Sequence, residues 1–534
     1  MKTNSSSLAP RHTVALATLA ALAGPLVAPS ALAQNTATWT GSGSDDNWST
    51  PGNWSGNNPP VNDGSYAVYL SSAAGGISHV DTPYDVANIG FTANAGTYTL
   101  TGERIDLRGT GAGADSNFLV SSSAYAAGLT QTVENYLRMM AAGAFRANTG
   151  NLVLKGELDL NNVTNVRFIA EAGRTLTLDG AIKGATGGTV AFNGHGVVEV
   201  NGDNTYTGTT KIWGNVTVKL GSSSALGAST STVILGTESG SSAGTPALLT
   251  NAAITVSRHI RVFTSSDAGR LVTIGGASAH VSEFTGNVYL KSYDVSAIDA
   301  MPLTVTAAEG GRVNIRGNIV REANATGSRD TLRKTGDGIV ALYGTNTYSG
   351  ATTVEEGTLL VHGTISNANF AHTPGVFTVK SGAALGGAGG VINRDVFVES
   401  GGIFTPGDLD ADGATSLAGS LTVNGGLAFE NGALLRFDFG DFVSVSGDLT
   451  LAGFLTITDS ESWSVGLHTL FSYAGELDAS GLTLDPNLGE RYSLDFGVDG
   501  LVRMGVAAIP EPATAASLLG LAGLLTAACG RRRR

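Results

Sequence analysis

Short runs in which apolar and polar residues alternate recur along most of the chain, and glycine or asparagine separates one run from the next. Such runs begin at Asn151 (NLVLKGELDLNN), Gly389 (GGVINRDVFVES) and Leu421 (LTVNGGLAFENG). A period of two is typical of β-strands that bury one face. The pattern predicts an all-β chain of many short strands joined by tight turns.

One segment departs from this alternation. The run ENYLRMMAAGAFRA, which begins at Glu134, is rich in residues of high helical propensity. We expect either a short helix over an edge of the strands or a loop excursion at this position.

Two stretches of the chain repeat each other at an offset of 142 residues. They are VNGDNTYTGTTKIWGNVTVK, which begins at Val200, and LYGTNTYSGATTVEEGTLLV, which begins at Leu342. Without gaps, the identical pairs are Gly202 with Gly344, Asn204 with Asn346, Thr205 with Thr347, Tyr206 with Tyr348, Gly208 with Gly350, and Thr210 with Thr352. Matches this dense at a constant register indicate a structural repeat.

Each copy predicts a turn between two extended segments, because glycine and asparagine tolerate positive φ and asparagine also bonds its own backbone. The predicted turn residues are Asn204, Tyr206, Gly208, Asn346, Tyr348 and Gly350. A strand, a turn and a strand in about twenty residues would form one coil of a solenoid, which is stable only when it stacks on neighbouring coils.

The second copy and its lead-in, LRKTGDGIVALYGTNTYSGATTVEEGTLLV, resemble the autotransporter-associated β-strand repeat. The positions that carry the resemblance are Lys334, Gly336, Gly338, Asn346, Thr347, Tyr348, Gly350, Thr352, Thr353, Gly357 and Leu359. The first copy departs from the pattern at Asn215 and Thr217, where the family has glycine and leucine. The resemblance implies a right-handed parallel β-helix, or β-solenoid, in a surface-exposed passenger region.

Three tryptophans lie close together near the N-terminus, at Trp39, Trp48 and Trp54. They lie among turn residues, and two interpretations are open. The rings would either cover the exposed core at the end of the solenoid or stack on sugar rings.

Composition narrows the function classes. Charged residues make up 14% of the chain, against roughly 25% in average globular proteins, and Cys529 is the single cysteine. The formal net charge of −13 becomes about −18 when residues 1–33 and 509–534 are left out of the count. This negative charge disfavours nucleic acid and anionic lipid as partners. No disulfide framework is available to hold the exported body together.

The first 33 residues predict a signal peptide, and hence the Sec export machinery as a partner. Positive residues precede the apolar stretch TVALATLAALAGPLVA, and an A-x-A site places cleavage between Ala33 and Gln34.

The end of the chain, IPEPATAASLLGLAGLLTAACGRRRR, has three parts. Residues 513–530 are uncharged and long enough for a transmembrane helix. Arg531, Arg532, Arg533 and Arg534 form a basic stop. Pro510, Glu511 and Pro512 precede the helix and keep the junction extended.

This order of parts resembles the PEP-CTERM sorting signal. The resemblance implies processing by an exosortase, transient anchoring in the inner membrane of a Gram-negative bacterium, and a role in the extracellular matrix or biofilm, with exopolysaccharide as a partner.

Candidate chemistry is sparse. Asp438 and Asp441 are close in sequence, as are Asp408, Asp410 and Asp412, but neither group has an evident partner base for glycoside hydrolysis. The second group matches half of a calcium loop, whose twelfth position is Gly419 where a glutamate is needed. The histidines are scattered singly. We therefore predict no catalytic residue, no metal site and no cofactor.

The sequence thus predicts a signal peptide (1–33), a β-rich N-terminal cap region (34–150), a β-solenoid (151–508) with repeats near 193–220 and 332–361, and a sorting tail (509–534). We expect a non-enzymatic exported protein of the cell surface or matrix. A carbohydrate-active or carbohydrate-binding β-helix protein is the alternative.

Overall fold

The computed structural model describes twelve stretches of the chain: residues 35–109, 118–122, 128–184, 188–228, 230–237, 244–264, 271–292, 302–322, 330–366, 375–409, 416–458 and 462–508. The predicted signal peptide, its cleavage site at Ala33 and Gln34, and the tail from 509 to 534 lie outside these residues.

The described residues form long ladders of hydrogen-bonded strands, and four of the five ladders are parallel throughout. The first ladder contains Asn35–Trp39, Tyr66–Leu70, Asn88–Phe91, Phe118–Ser122, Gly143–Ala147, Asn165–Ala170, Thr189–Gly194, Thr209–Ile212, Val233–Leu235, Ile260–Thr264, Val288–Ser292 and Ile319–Arg321. The second contains Gly76–Val80, Tyr98–Gly102, Thr130–Val133, Asn151–Leu154, Thr175–Leu178, Val197–Val200, Thr217–Leu220, Ala247–Thr250, Val272–Gly276, Pro302–Ala307, Thr331–Thr335, Thr352–Val354, Phe377–Val379, Val396–Val398 and Leu427–Phe429.

Three further ladders complete the coils. The third contains Tyr84–Val86, Ile105–Leu107, Leu137–Met139, Leu158–Asp159 and Ile182–Lys183. The fourth contains Thr255–Val256, Val281–Phe284, Arg312–Ile315, Ile339–Leu342, Thr358–Val361, Ala384–Gly387, Ile403–Pro406 and Leu434–Phe437, and it joins the second through Leu449–Ile457 and Leu477–Leu484. The fifth contains Thr345–Asn346, Thr364–Ile365, Gly390–Ile392, Ser420–Val423, Phe442–Val445 and Gly466–Tyr473, extended by the antiparallel strands Leu501–Val506 and Tyr492–Asp495.

Minor elements lie outside these ladders. They are the antiparallel pair Asp408–Leu409 and Ser416–Leu417, and the short 3₁₀ helices Pro51–Asn53, Ser55–Asn57 and Pro486–Leu488. Among the described residues there is no helix with the length and apolar character that crossing a bilayer requires. The predicted transmembrane helix at 513–530 falls outside them.

Successive strands of the chain enter different ladders, and each strand pairs with the strand one coil later. Val197 pairs with Thr217, twenty residues on, whereas Thr273 pairs with Thr304, thirty-one residues on. Parallel pairing at such separations is the pattern of a solenoid, so the all-β prediction and the long parallel sheets are confirmed. A coil holds up to three strands, where the sequence analysis assigned two.

The interior is filled by the side chains that alternate inward. Phe145, Phe168 and Phe192 lie on consecutive coils of the first ladder, and their rings stack at centroid distances of 5.5 and 5.4 Å. Each coil thereby covers the apolar surface that its neighbour would otherwise expose to water.

Three tryptophans pack together near the N-terminal end of the ladders. Trp39 and Trp54 meet edge to face at 5.2 Å, and Trp48 meets Trp54 at 5.5 Å. The indole N–H of Trp48 donates to Ser78 Oγ, and that of Trp54 donates to the Trp48 carbonyl. All three rings are at most 2% exposed. They present no ring face to a sugar, and the structure supports the interpretation as an end cap.

The helix or loop excursion expected from Glu134 is wrong. The segment forms the strands Leu137–Met139 and Gly143–Ala147, which pair in parallel with both neighbouring coils. Leu137, Met139 and Phe145 are buried. Pairing and burial from the adjacent coils outweigh a local helical preference worth less than about 1 kcal/mol per residue.

Consecutive coils approach each other closely at a column of glycines. A Cβ added to Gly180 would lie 1.9 Å from the Gly156 carbonyl oxygen, and one added to Gly202 would lie 2.3 Å from the Gly180 carbonyl oxygen. A Cβ at Gly156 would lie 1.9 Å from the Asn135 carbonyl oxygen. No other residue fits these corners without displacing the backbone of the preceding coil.

Strand pairing continues through residue 150, where the sequence analysis placed a boundary. Gly143–Ala147 and Asn151–Leu154 both pair with strands of the coils before and after them.

Candidate functional site

The asparagine of each repeat lies at the turn, and its side chain bonds the backbone of a neighbouring coil. Asn204 Oδ1 accepts from the Ile182 amide at 2.6 Å, and its Nδ2 donates to the Ala225 carbonyl at 2.7 Å. Asn346 Oδ1 accepts from the Ile319 amide at 3.0 Å, but its Nδ2 donates to Gly344 in its own turn. The first asparagine therefore links three consecutive coils, and the second links two.

The tyrosine of each repeat is fully buried and bonds the threonine four residues later. The hydroxyls of Tyr206 and Thr210 are 3.0 Å apart, and those of Tyr348 and Thr352 are 2.7 Å apart. Burial raises the pKa of Tyr206 to about 12 and also raises the pKa of Tyr348. Both phenols stay neutral, as a buried hydroxyl in a hydrogen-bonded pair should.

The glycine that follows each tyrosine is buried as well. A Cβ at Gly350 would lie 2.5 Å from the Asp330 carbonyl oxygen. Gly208 lies directly before the strand Thr209–Ile212. The six predicted turn residues thus all face the interior.

The lead-in of the second repeat buries a lysine. Lys334 is fully buried, and its ammonium donates to the carbonyls of Thr335 at 3.1 Å, Gly336 at 2.6 Å and Glu356 at 2.9 Å. Burial lowers the pKa of Lys334 to about 8, against the opposing effect of nearby carboxylates. The lysine closes the corner between Thr331–Thr335 and Ile339–Leu342 by satisfying carbonyls that have no strand partner.

An arginine lies against the turn of each repeat, and the sequence analysis missed both. Arg394 is 3% exposed, lies over the Tyr348 ring at 5.1 Å, and donates to the carbonyls of Tyr348 and Gly350. Arg258 donates to the Leu226 carbonyl beside the first turn. Burial lowers the pKa of both guanidinium groups. Each arginine lies two residues before the start of a strand, and this spacing is the sequence feature from which both could have been predicted.

The two repeats do not occupy the same ladders. The strand after the first turn, Thr209–Ile212, belongs to the first ladder, whereas its equivalent Thr352–Val354 belongs to the second. An offset of 142 residues is therefore not a whole number of coils, and the two turns lie on different sides of the solenoid.

Two of the candidate carboxylates, Asp408 and Asp441, form hydrogen bonds or ion pairs with neighbouring residues of the fold. Asp441 accepts from the amides of Gly419 at 2.8 Å and Asp438 at 2.7 Å, and burial raises its pKa to about 7. Asp408 contacts Arg312 at 3.1 Å and His362 at 3.3 Å. Asp410 and Asp412 lie outside the described residues. The described part of the chain contains no group of three or more His, Cys, Asp or Glu side chains that could hold a metal ion.

The sorting residues Pro510, Glu511 and Pro512 and the arginines 531–534 also lie outside the described residues. What the structure brings together is a set of buried repeat residues that fix how coils stack. The residues available to a partner are the outward-facing side chains of the ladders.

Comparison with known proteins agrees with this geometry. The family model for the Passenger-associated-transport-repeat matches residues 193–214 and 332–361, the two stretches identified as repeats, which confirms the repeat prediction. The chain is also similar to the Adhesin BmaC autotransporter of Brucella suis biovar 1 (strain 1330), at 31% identity over 167 residues. The match covers 29% of this chain and 5% of that relative.

Proposed function

We propose that this protein is a non-enzymatic, exported surface protein whose solenoid presents its outer ladders to a binding partner, as an adhesin does. The observation that carries the proposal is the use of the repeat residues: asparagine, tyrosine and lysine are all consumed inside the coils, as at Asn204, Tyr206 and Lys334. A repeat whose shared residues are buried in this way builds length and surface by stacking coil on coil.

The similarity to an adhesin supports the same function, and the predicted signal peptide supports export. A strain that lacks the protein should attach less well to the surface or matrix it colonises, and the full-length gene should restore attachment. Protease treatment of intact cells should degrade the protein if it is displayed outside. Unchanged attachment together with protection from protease would contradict the proposal.

Absence of catalysis is tested separately. The purified protein should release no oligosaccharide from a panel of neutral and acidic polysaccharides, and boiled protein provides the control. Product release that boiling abolishes would favour the alternative of a carbohydrate-active enzyme.

The tail supports a finer proposal about sorting. Pro510, Glu511 and Pro512 would be the recognition site of an exosortase, residues 513–530 a transient hold in the inner membrane, and Arg531 to Arg534 the stop. The mature protein would then be released to the cell surface, the extracellular matrix or biofilm, where exopolysaccharide is the expected neighbour.

Replacement of Pro510, Glu511 and Pro512 by alanines should leave the chain uncleaved in the inner-membrane fraction. A matched control with Thr514 and Ser517 replaced by alanine alters the same tail outside the motif and should be processed normally. Mass spectrometry of the surface fraction and fractionation by immunoblot measure both. Normal delivery of the first variant would rule out sorting through this motif.

A further inference from the structure

The strands of the first ladder contain no acidic residue, although the chain has 44 acidic against 31 basic residues. Those twelve strands carry six basic residues: Arg146, Arg167, Lys211, Arg261, Lys291 and Arg321. Arg321 is buried beside Asp330. The other five alternate with buried neighbours and point outward. This face therefore differs in charge from the protein as a whole.

The register of the ladder places three of these cations in one column. Arg167 pairs with Ala191, and Ala191 pairs with Lys211. Lys211 pairs with Ile234, and Ile234 pairs with Arg261. A positive charge thus stands on every second rung, which is a spacing of about 10 Å along the solenoid axis.

A shallow groove lies between the first two cations of that column. It has a volume of about 250 Å³, and its lining includes Arg167, Lys211, Trp213, Asn165 and Thr189. The Arg167 guanidinium lies 5.7 Å from the centroid of the Trp213 ring. Trp213 is partly exposed, unlike the tryptophans of the N-terminal cap. The groove offers a flat aromatic ring, two cations and two polar side chains.

Two other cations of the face form ion pairs. Arg146 pairs with Glu171, and Arg261 lies 3.1 Å from Glu322. Lys211 has no hydrogen-bond or ion-pair partner among the described residues. A ligand in the groove can therefore bind Lys211 without breaking an ion pair between described residues.

We propose that this groove binds a linear acidic polysaccharide that carries one carboxylate on every second sugar and runs along the column. Carboxylates accept charge-assisted hydrogen bonds from lysine and arginine, and a sugar ring stacks on the apolar face of an indole such as Trp213. A step of two rungs matches the length of one disaccharide in an extended chain. The proposal rests on the proposed surface function and names its partner class.

The same spacing disfavours nucleic acid. Each strand of a DNA duplex carries one phosphate per roughly 3.4 Å of helix axis, so most phosphates of a strand lying along this column would face no cation. A protein of net charge −13 would also repel so dense an anion.

Binding is measured by calorimetry with the full-length protein and four oligomers of similar length. They are hyaluronan, with one carboxylate per disaccharide; galacturonan, with one per sugar; neutral maltooligosaccharide; and oligo-dT. Hyaluronan should bind most tightly, and its affinity should fall as salt is raised. Lys211→Gln should weaken it about tenfold, and Trp213→Ala should weaken it comparably.

Lys219→Gln is the matched control, because Lys219 also points outward but lies in the second ladder beside Glu199. Its affinity should remain within about twofold of the original protein. Unchanged affinity of Lys211→Gln, equal binding of the neutral oligomer, or tighter binding of galacturonan or oligo-dT would each overturn the proposal. Surface attachment that persists without hyaluronan binding would overturn this inference while leaving the proposed function intact.

Discussion

The two repeats share one turn but fill the corner before it differently. At the position where the second repeat has Lys334, the first has Phe192. Phe192 stacks on Phe168 at 5.4 Å, whereas Lys334 binds three carbonyl oxygens. The same inward site accepts either an aromatic ring or a fully hydrogen-bonded ammonium, because each leaves neither a void nor an unpaired polar group.

The comparison separates what the turn requires from what the lead-in tolerates. Asparagine and glycine recur because they bond or abut the backbone of another coil, and tyrosine recurs because its buried hydroxyl bonds the threonine of its own turn. The turn also works in two different ladders, so its geometry depends on the adjacent coils and not on a particular side of the solenoid.

The largest expected loss of stability is at Phe192, in the lead-in of the first repeat. Phe192→Ala should lower the free energy of unfolding by about 3 to 5 kcal/mol, because it removes a buried ring and leaves a cavity between coils. Denaturant unfolding measures the loss. Val197→Ala, at an outward position of the next strand, should cost less than about 1 kcal/mol. Similar losses in both variants would mean that the stack is not what holds this corner.

The asparagines should differ in strength. Asn204→Ala and Asn346→Ala should each cost about 1 to 3 kcal/mol, since each leaves a buried amide without an acceptor. The loss should be larger for Asn204, which bonds coils on both sides. Asn201→Ala, in the same region but bonded to Asp179 at the surface, serves as the control. Equal losses at Asn204 and Asn346 would contradict the three-coil link.

A dependence on pH should also distinguish the repeats, because the second has a buried lysine at Lys334 where the first has Phe192. Between about pH 8 and pH 10 the folded protein binds fewer protons at Lys334 than the unfolded chain does, because its pKa is lowered to about 8 from 10.5. Stability should therefore rise with pH across this window, by about 1 to 3 kcal/mol.

Lys334→Met removes this proton and should flatten the rise, whereas Phe192→Ala should leave the slope unchanged. Denaturant midpoints collected at several pH values measure both slopes. An unaltered slope in Lys334→Met would show that the ammonium keeps its ordinary pKa in the folded protein.

Much of the fold followed from local patterns. Alternation predicted the strands, and the Asn-Thr-Tyr spacing predicted the turns, because both are properties of short segments. Burial of Lys334 could also have been predicted, because Lys334 is two residues from Leu332 in one strand and therefore lies on the same inward side.

Other features depended on how the coils stack. The segment from Glu134 has a helical preference that only the neighbouring coils override. The cation column requires the register of Arg167, Ala191 and Lys211, and loops of different length between them conceal that register in the sequence.

The glycine column through Gly156, Gly180 and Gly202 has a consequence for how such a chain can change over evolutionary time. A point substitution at any of these corners displaces the backbone of the coil before it, so these positions tolerate little change of residue. Duplication or loss of an entire coil, in contrast, brings its own glycine and its own carbonyl together. The protein can therefore lengthen or shorten by whole rungs more readily than it can alter one corner.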